Sequence, residues 1–152
     1  MMNEVVLYQP EIPPNTGNII RLCANTQSKL SLIRPLGFEL DNKHMRRAGL
    51  DYHDQSIVNV FDSFESWFSQ RQCPFYTLST HGKKYYHQQS YSHENIIMFG
   101  PETRGLPDHI RFHQMATCIK IPMAKAQRSL NLSNSVAICL YEVLRQQSFN
   151  FV

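Results

Sequence analysis

The stretch IPMAKAQRSLNLSNSVAICLYEVL, residues 121–144, runs from the end of an apolar segment through a polar loop into the strongest helical pattern of the chain. Its apolar residues recur at three- and four-residue steps, as on one face of an amphipathic helix: Leu132, Val136, Cys139, Leu140, Val143 and Leu144. Ser129 and Asn131 can both cap this helix, because their side-chain oxygens accept the free N–H groups of a first turn. With Ser133 and Asn134 they exceed what one cap requires, so the loop is either redundantly capped or part of a site.

Outward from this stretch, short apolar runs alternate with helical patterns. The runs predict six strands, at residues 5–9, 30–33, 56–61, 75–79, 95–99 and 117–121. Helices are predicted after a cap at Asn15 or Thr16, at 42–48 after Asp41, at 62–70 from a capping box at 62–65, and at 108–113. Strands that are apolar on both faces and alternate with helices predict one α/β domain over residues 1–152, with a mainly parallel sheet.

Three loops follow predicted strands, at the edge where parallel sheets bind ligands: 78–80, 100–105 and 121–131. Gly100 and Gly105 would let the backbone approach a ligand closely, although turn formation explains both glycines equally well. The chain has no GxGxxG and no GxxxxGK[ST] sequence, so the usual dinucleotide and P-loop fingerprints are absent. It also has no HExxH and no GxSxG sequence. The histidines, including His109 and His113, are therefore expected to be surface or structural groups, and no metal site is expected.

The composition is that of a globular protein without a membrane segment. Of the 152 residues, 42% are hydrophobic and 18% are charged, and no apolar run is long enough to span a bilayer. The N-terminal sequence has no basic region before an apolar stretch, so no signal peptide is expected. The four cysteines are far apart and form no CxxC motif, which favours reduced thiols in a cytoplasmic protein.

The net charge of +3 permits binding to a polyanion without requiring it. Basic residues gather in two groups, the second followed by tyrosines: Lys43, Arg46 and Arg47, and then Lys83 and Lys84 before Tyr85, Tyr86 and Tyr91. Positive charges for phosphates beside rings for unstacked bases suit RNA. Either group by itself is slightly more typical of a solvated surface loop.

Three segments carry the order and spacing of one family's motifs: NTGNIIR at 15–21, FGPETRGL at 99–106, and IPM at 121–123 with SLNLSN at 129–134. Together they resemble the SPOUT-class RNA 2′-O-ribose methyltransferases, and the resemblance covers essentially the whole chain. The short length, YQPEIPPNTGN at 8–18 and RRAGLDY at 46–52 are similar to the minimal members that act on the tRNA wobble position.

The resemblance implies a deep trefoil knot in the C-terminal part of the domain, which periodicity alone does not indicate. It implies S-adenosylmethionine as cofactor, with S-adenosylhomocysteine as product, and a homodimer with Tyr141 at its interface. The implied reaction is 2′-O-methylation of nucleotide 34, cytidine or a modified uridine, of tRNA, with leucine isoacceptors as the expected substrates. Neither DNA, a membrane nor a metal is an expected partner.

Carried over by motif, the resemblance assigns seven residues to the cofactor: Leu78, Gly100, Gly105, Ile121, Met123, Ser129 and Asn131. It assigns Arg21, Glu102 and Asn131 to catalysis. Arg21 is expected to reach the partner's site as a phosphate anchor and stabiliser of a developing alkoxide, because a guanidinium stays protonated. Glu102 is expected to orient Arg21, Asn131 or a loop N–H. The basic residues expected to contact tRNA are Lys43, Arg46, Arg47, Lys83, Lys84 and Arg128.

Two alternatives stay open at this point. One is the same chemistry on another RNA, such as ribosomal RNA. The other is a non-catalytic RNA-binding or RNA-chaperone protein on the same fold, which the intact Arg21, Glu102, Ser129 and Asn131 disfavour.

Overall fold

The computed structural model describes residues 2–152, apart from the side chain of Tyr52, and this part of the chain forms a seven-stranded sheet. The strands are β1 (Glu4–Tyr8), β2 (Lys29–Ile33), β3 (Val58–Phe61), β4 (Phe75–Leu78), β5 (Lys84–Tyr85), β6 (Ile96–Phe99) and β7 (Ala116–Lys120). Every strand pair is parallel, in the order β3-β2-β1-β6-β4-β7-β5. The predicted α/β class with a parallel sheet is confirmed, and the short edge strand β5 is an addition to the six predicted strands.

The α-helices are α1 (Pro13–Asn25), α2 (Asn42–Arg47), α3 (Tyr52–Ser56), α4 (Phe64–Arg71), α5 (Asp108–Arg111) and α6 (Leu132–Gln146), which follows the last strand. They cover both faces of the sheet. On β1, Val5 and Leu7 pack in one core cluster with α1 and α6, whereas Val6 packs in a second cluster with α4 and α5. Burial on both faces explains why the strands are continuous apolar runs. No helix of the described residues is long and apolar enough to cross a membrane.

A buried carboxylate joins β1 to β2 and α4. Glu4 is 4% exposed and accepts hydrogen bonds from Ser31 Oγ, Trp67 Nε1 and the Arg71 guanidinium at 2.5–3.1 Å. Burial raises the pKa of Glu4, but the hydrogen bonds from Arg71, Ser31 and Trp67 outweigh that effect and hold the pKa below its ordinary value of 4.5. A charged and fully bonded Glu4 therefore fixes α4 on the sheet.

The start of α1 differs from the predicted cap at Asn15 or Thr16. The helix begins at Pro13, with Ile12 as the N-cap residue, and both Asn15 and Thr16 are buried inside its first turns. Proline suits the first helical positions because its missing N–H would have no partner there. Pro13 and Pro14 are thus the first two residues of the helix.

Two other local predictions are corrected. The capping box of α4 is formed by Ser63 and Ser66, not by residues 62 and 65. Residues 52–56 form α3, whose own capping box joins Asp51 and Asp54, so the third strand begins at Val58 rather than at 56. The Asp41 cap of α2 and the Asn131 cap of α6 are confirmed. The trefoil knot stays a prediction, because strand order does not define how the chain is threaded.

Candidate functional site

A cleft of about 710 Å³ lies at the carboxyl ends of β4, β6 and β7. The loops that follow these three strands form its walls, and the start of α1 and of α6 closes it. All seven residues assigned to the cofactor line this one cleft: Leu78, Gly100, Gly105, Ile121, Met123, Ser129 and Asn131. The structure thus brings together residues that lie up to 53 positions apart, at the sheet edge where ligands of parallel sheets bind.

The loop after β6 is folded tightly on itself at Gly100. A Cβ at this position would lie 2.4 Å from Leu106 N and 2.5 Å from Gly105 C, so no side chain fits without moving backbone. Gly105 has a φ of +70°, and its N–H donates to the Pro101 carbonyl at 3.0 Å. Both glycines are therefore needed for the shape of this wall.

Glu102 joins this loop to the start of α1. Its carboxylate accepts hydrogen bonds from Glu11 N at 3.1 and 3.2 Å and from Ile12 N at 2.5 Å. In return, the Glu11 carboxylate accepts from Thr103 N at 3.0 Å and Thr103 Oγ1 at 2.8 Å. The hydrogen bond from the Thr103 N–H is the main cause that holds the pKa of Glu11 below its ordinary value. Of the three partners expected for Glu102, the described residues supply the loop N–H and neither Arg21 nor Asn131.

Asn131 ties α6 to α1 at the other side of the cleft. Its Oδ1 accepts from Asn134 N at 3.2 Å and from Ser133 Oγ at 2.6 Å, and its Nδ2 donates to Asn15 Oδ1 at 3.0 Å. The surplus of polar residues at this helix entrance is thereby explained in part: one residue caps the helix and also binds the first motif. Ser129 remains available to the cleft.

The lining of the cleft is mixed in polarity and carries more positive than negative charge. Among the described residues that line it, Glu102 is the single carboxylate, and its oxygens are engaged, whereas arginines stand at positions 104, 111 and 128.

Arg111 was not anticipated from the sequence. It reaches the cleft from the end of α5, where its guanidinium pairs with Asp108 and lies 3.4 Å from Ser79 Oγ. A four-residue helix with no motif gives no signal for such a position.

Arg21 lies outside the cleft of its own chain. Asn15 lines the cleft, and six residues of helix place Arg21 about 9 Å further along the axis and about 120° around it. Its guanidinium instead donates to the Gly49 carbonyl and lies 3.4 Å from Asp54 Oδ2. The structure therefore does not bring Arg21 together with Glu102 and Asn131 within one chain.

The two basic groups stand apart. Lys43, Arg46 and Arg47 are exposed on α2, which follows β2 near one end of the sheet, whereas Lys83 and Lys84 are exposed at β5 on the opposite edge. The tyrosines after the second group are not all free for bases. Tyr91 is 4% exposed and donates its hydroxyl hydrogen to the Tyr86 carbonyl, and Lys120 Nζ lies 5.0 Å from the centre of the Tyr85 ring. Tyr141, on α6, is 45% exposed.

The cysteines lie outside the cleft and have structural roles. Burial raises the pKa of the Cys23 and Cys139 thiols to about 12, which makes them unreactive, and all four cysteines are free. His113 lies beyond the end of α5, where its Nδ1 accepts from Met115 N, so it shares no helix face with His109.

One exposed group of side chains of metal-ligand type lies near α2, formed by Glu39, Asp41 and His44. Asp41 is already bonded to the N–H and ring of His44 as a helix cap.

The sequence and fold can be compared with those of known proteins. Residues 2–141 match the SpoU rRNA Methylase family. The chain belongs to this family. This SpoU methylase is 47% identical over 151 residues to the tRNA (cytidine(34)-2′-O)-methyltransferase of Escherichia coli strain K12, covering 97% of this chain and 96% of that relative. A solved structure concerned with the 2-OH methylation of C/U34 on tRNA is 38% identical, with a TM-score of 0.89 over 97% of each chain.

The SpoU fold is also found at lower identity. The SpoU methyltransferase AviRb from Streptomyces viridochromogenes, solved in complex with AdoMet, is 24% identical with a TM-score of 0.81. The match covers 97% of this chain and 58% of that chain. At this identity the likeness is one of fold, and it agrees with the parallel sheet described above.

Proposed function

We propose that this chain transfers a methyl group from S-adenosylmethionine to the ribose 2′-oxygen of nucleotide 34, the wobble position, of a tRNA. The observation that carries the proposal is the cleft in which the loops of the second and third motifs meet Asn15 of the first motif. Family membership and the relative of 47% identity, which is named for this reaction on cytidine 34, support the same activity. Leucine isoacceptors stay the predicted substrates.

The cleft suits a cofactor with an apolar ring system and polar ends. Its volume of about 710 Å³ lies within the usual range of small-molecule sites. Leu78, Phe99, Ile121 and Met123 offer apolar walls, and Ser129 and the backbone of the three loops offer hydrogen-bonding groups. S-adenosylmethionine would supply the methyl group already attached to a sulfonium leaving group, so the reaction requires no metal.

The residues of the chain would contribute position and charge. Glu102 and Asn131 hold the walls of the cleft against α1, so that the loops keep one geometry before the cofactor arrives. Glu102 has its oxygens engaged by two backbone N–H groups, and we assign it a positioning role rather than that of a proton acceptor. Arg21 would bind the phosphate beside the target ribose and stabilise negative charge that develops on the 2′-oxygen.

The proposal includes a homodimer in which Arg21 serves the cleft of the partner subunit. Its support is the position of Arg21 on α1, turned away from the cleft of its own chain and half-exposed at its side chain. α1 packs against α6, and α6 exposes Tyr141 beside the half-buried Ile138. The solvent-accessible side chains of Tyr141 and Ile138, one aromatic and one aliphatic, are suited to a subunit contact.

The exposed basic residues of α2 and β5, with Arg128 at the rim of the cleft, are proposed to bind tRNA phosphates. Their separation across the sheet fits a ligand as large as an anticodon arm better than a small molecule. A cytoplasmic location is part of the proposal, because four free cysteines suit a reducing compartment.

A second candidate is the same reaction on ribosomal RNA. The SpoU rRNA Methylase family, to which the chain belongs, is named for that substrate, which favours this candidate. The two are separated by incubating the protein with labelled S-adenosylmethionine and either tRNA or ribosomal RNA from a strain that lacks this gene. Label in tRNA alone supports the proposal, and label in ribosomal RNA alone replaces it. Binding of S-adenosylmethionine without label in either RNA would favour a non-catalytic protein or a different RNA.

A further inference from the structure

The RRAGLDY sequence at 46–52 runs from the end of α2 to the start of α3, and none of its described residues lines the cleft. The structure shows what this segment contacts. The Gly49 carbonyl accepts a hydrogen bond from Arg21 Nη2, and Asp54 Oδ2 lies 3.4 Å from the same nitrogen. One carbonyl and one carboxylate therefore face a single guanidinium nitrogen.

The Asp54 carboxylate is held in place by hydrogen bonds with Asp51 that do not involve Arg21. Its side chain is 8% exposed, and its Oδ2 accepts from Asp51 N at 3.1 Å, while its own N–H donates to Asp51 Oδ1 at 2.8 Å. This reciprocal cap holds the carboxylate at the start of α3. Gly49 has a φ of +77°, and its N–H donates to the Arg46 carbonyl, so the turn that presents its carbonyl is also defined.

The contact is poorly suited to stabilising the fold. The Arg21 side chain is 50% exposed, and ion pairs open to solvent contribute little to stability because water screens them and both side chains lose freedom. What the two acceptors do is restrict a long, flexible side chain to one orientation.

We propose that Asp54, together with the Gly49 carbonyl, is a positioning residue that holds the Arg21 guanidinium ready for the tRNA. This inference rests on the proposed function, in which Arg21 contacts the substrate. It assigns a role to the turn at Gly49 and to the Asp51–Asp54 cap that follows it, which together form a cradle for the catalytic arginine.

The test is an Asp54→Asn variant of the full chain. Asparagine can still accept the Asp51 N–H through Oδ1, so the cap is kept while the negative charge beside Arg21 is removed. The matched control is Asp62→Asn, which removes the same charge from a surface ion pair with Arg34 at 2.9 Å. We expect Asp54→Asn to lower kcat/KM for tRNA about tenfold or more, since small displacements of a reacting group have large effects. Affinity for S-adenosylmethionine and Tm should stay at wild-type values, and Asp62→Asn should match wild type in every measurement.

Two further variants separate positioning from a merely structural role. Asp54→Glu keeps the charge and should recover part of the lost rate. In an Arg21→Lys background, Asp54→Asn should have a much smaller effect than in wild type, because the two residues act as one unit. The proposal would be overturned if Asp54→Asn lowered kcat/KM by the same factor in the Arg21→Lys background as in wild type. It would also be overturned if the Asp54→Asn variant transferred methyl groups as fast as wild type or faster. A fall in Tm and cofactor affinity alongside the rate would overturn it too, in favour of a cap that only supports the fold.

Failure of the proposed function would look different. A wild-type protein that methylates no tRNA would refute that function while leaving the cradle testable by NMR relaxation of the Arg21 Nε–H group. An Arg21 side chain that is ordered in wild type and mobile in Asp54→Asn supports the cradle, and equal mobility in both refutes it.

Discussion

The shape of the cleft depends on the absence of a side chain at residue 100, and Gly100→Ala tests that dependence. The added Cβ would lie 2.4 Å from Leu106 N and 2.5 Å from Gly105 C. Non-bonded heavy atoms settle at about 3.5–4.0 Å, so the loop would have to open by about 1 Å. Both sides of the clash are backbone, and neither can move aside by a simple rotamer change.

The opening would displace two of the residues assigned to the cofactor. We expect the affinity for S-adenosylmethionine to fall about tenfold or more, which corresponds to about 1.4 kcal/mol, and stability to fall by about 1–3 kcal/mol, as is usual for overpacking. Isothermal titration calorimetry measures the first effect and denaturant unfolding the second.

The matched control is Gly17→Ala in α1. Its Cβ would lie 3.4 Å from Ala48 Cβ, which is an ordinary contact, so the same methyl group is added without a clash. Alanine is a better helix former than glycine, and this variant should be more stable by up to about 1 kcal/mol. If Gly100→Ala bound S-adenosylmethionine within twofold of wild type and unfolded at the same denaturant concentration, the reasoning from the loop geometry would be refuted.

Four further predictions concern the subunit arrangement, the cleft wall, the core and RNA binding. Mixing Arg21→Ala subunits with Gly100→Ala subunits should restore part of the transfer activity if Arg21 serves the partner's cleft, and no recovery would indicate action within one chain. Glu102→Ala should destabilise the protein by about 1.5–3 kcal/mol, because the N–H groups of Glu11 and Ile12 lose a charged acceptor, whereas equal unfolding curves would show that water replaces it. Glu4 has a lowered pKa, so its contribution to stability is present above its unfolded pKa and is lost as the pH falls towards the folded value; unfolding between pH 7 and pH 3 should depend less on pH in Glu4→Gln, and parallel curves would contradict this. If the six basic residues assigned to tRNA each contact a phosphate, affinity measured by filter binding should fall about a thousandfold between 50 and 200 mM salt, and a flat response would exclude those contacts.

Local signals in the sequence were sufficient for much of the fold. Apolar runs predicted the six main strands because a parallel sheet buries both faces of each strand, and Asp41 and Asn131 cap the helices that they precede. The cleft was also predictable in outline. In a parallel sheet every strand ends at the same edge, so three loops after strands had to meet there.

Contacts between distant segments were beyond the reach of local patterns. The carboxylate that bonds the start of α1 comes from Glu102, 91 residues later, and α1 needs no cap of its own because two prolines begin it. α3 was not predicted, and its last residue, Ser56, was assigned to the third strand, because its five residues carry no apolar periodicity. Its first turn is capped by the exchange of hydrogen bonds between Asp51 and Asp54. The position of Arg21 away from its own cleft likewise depends on the rotation of α1 in the folded chain.

The most direct test of the account maps the methyl group itself. Purified protein would be incubated with labelled S-adenosylmethionine and bulk tRNA from a strain that lacks this gene, and the modified nucleotide would be identified by nuclease digestion and mass spectrometry, with Arg21→Ala in parallel. We expect label on the ribose of nucleotide 34 with the wild-type protein, and none with Arg21→Ala, although that variant should bind S-adenosylmethionine with wild-type affinity. Label on a base, or on the ribose of any other nucleotide, would contradict the proposed function. Full transfer by Arg21→Ala would contradict the role assigned to that arginine.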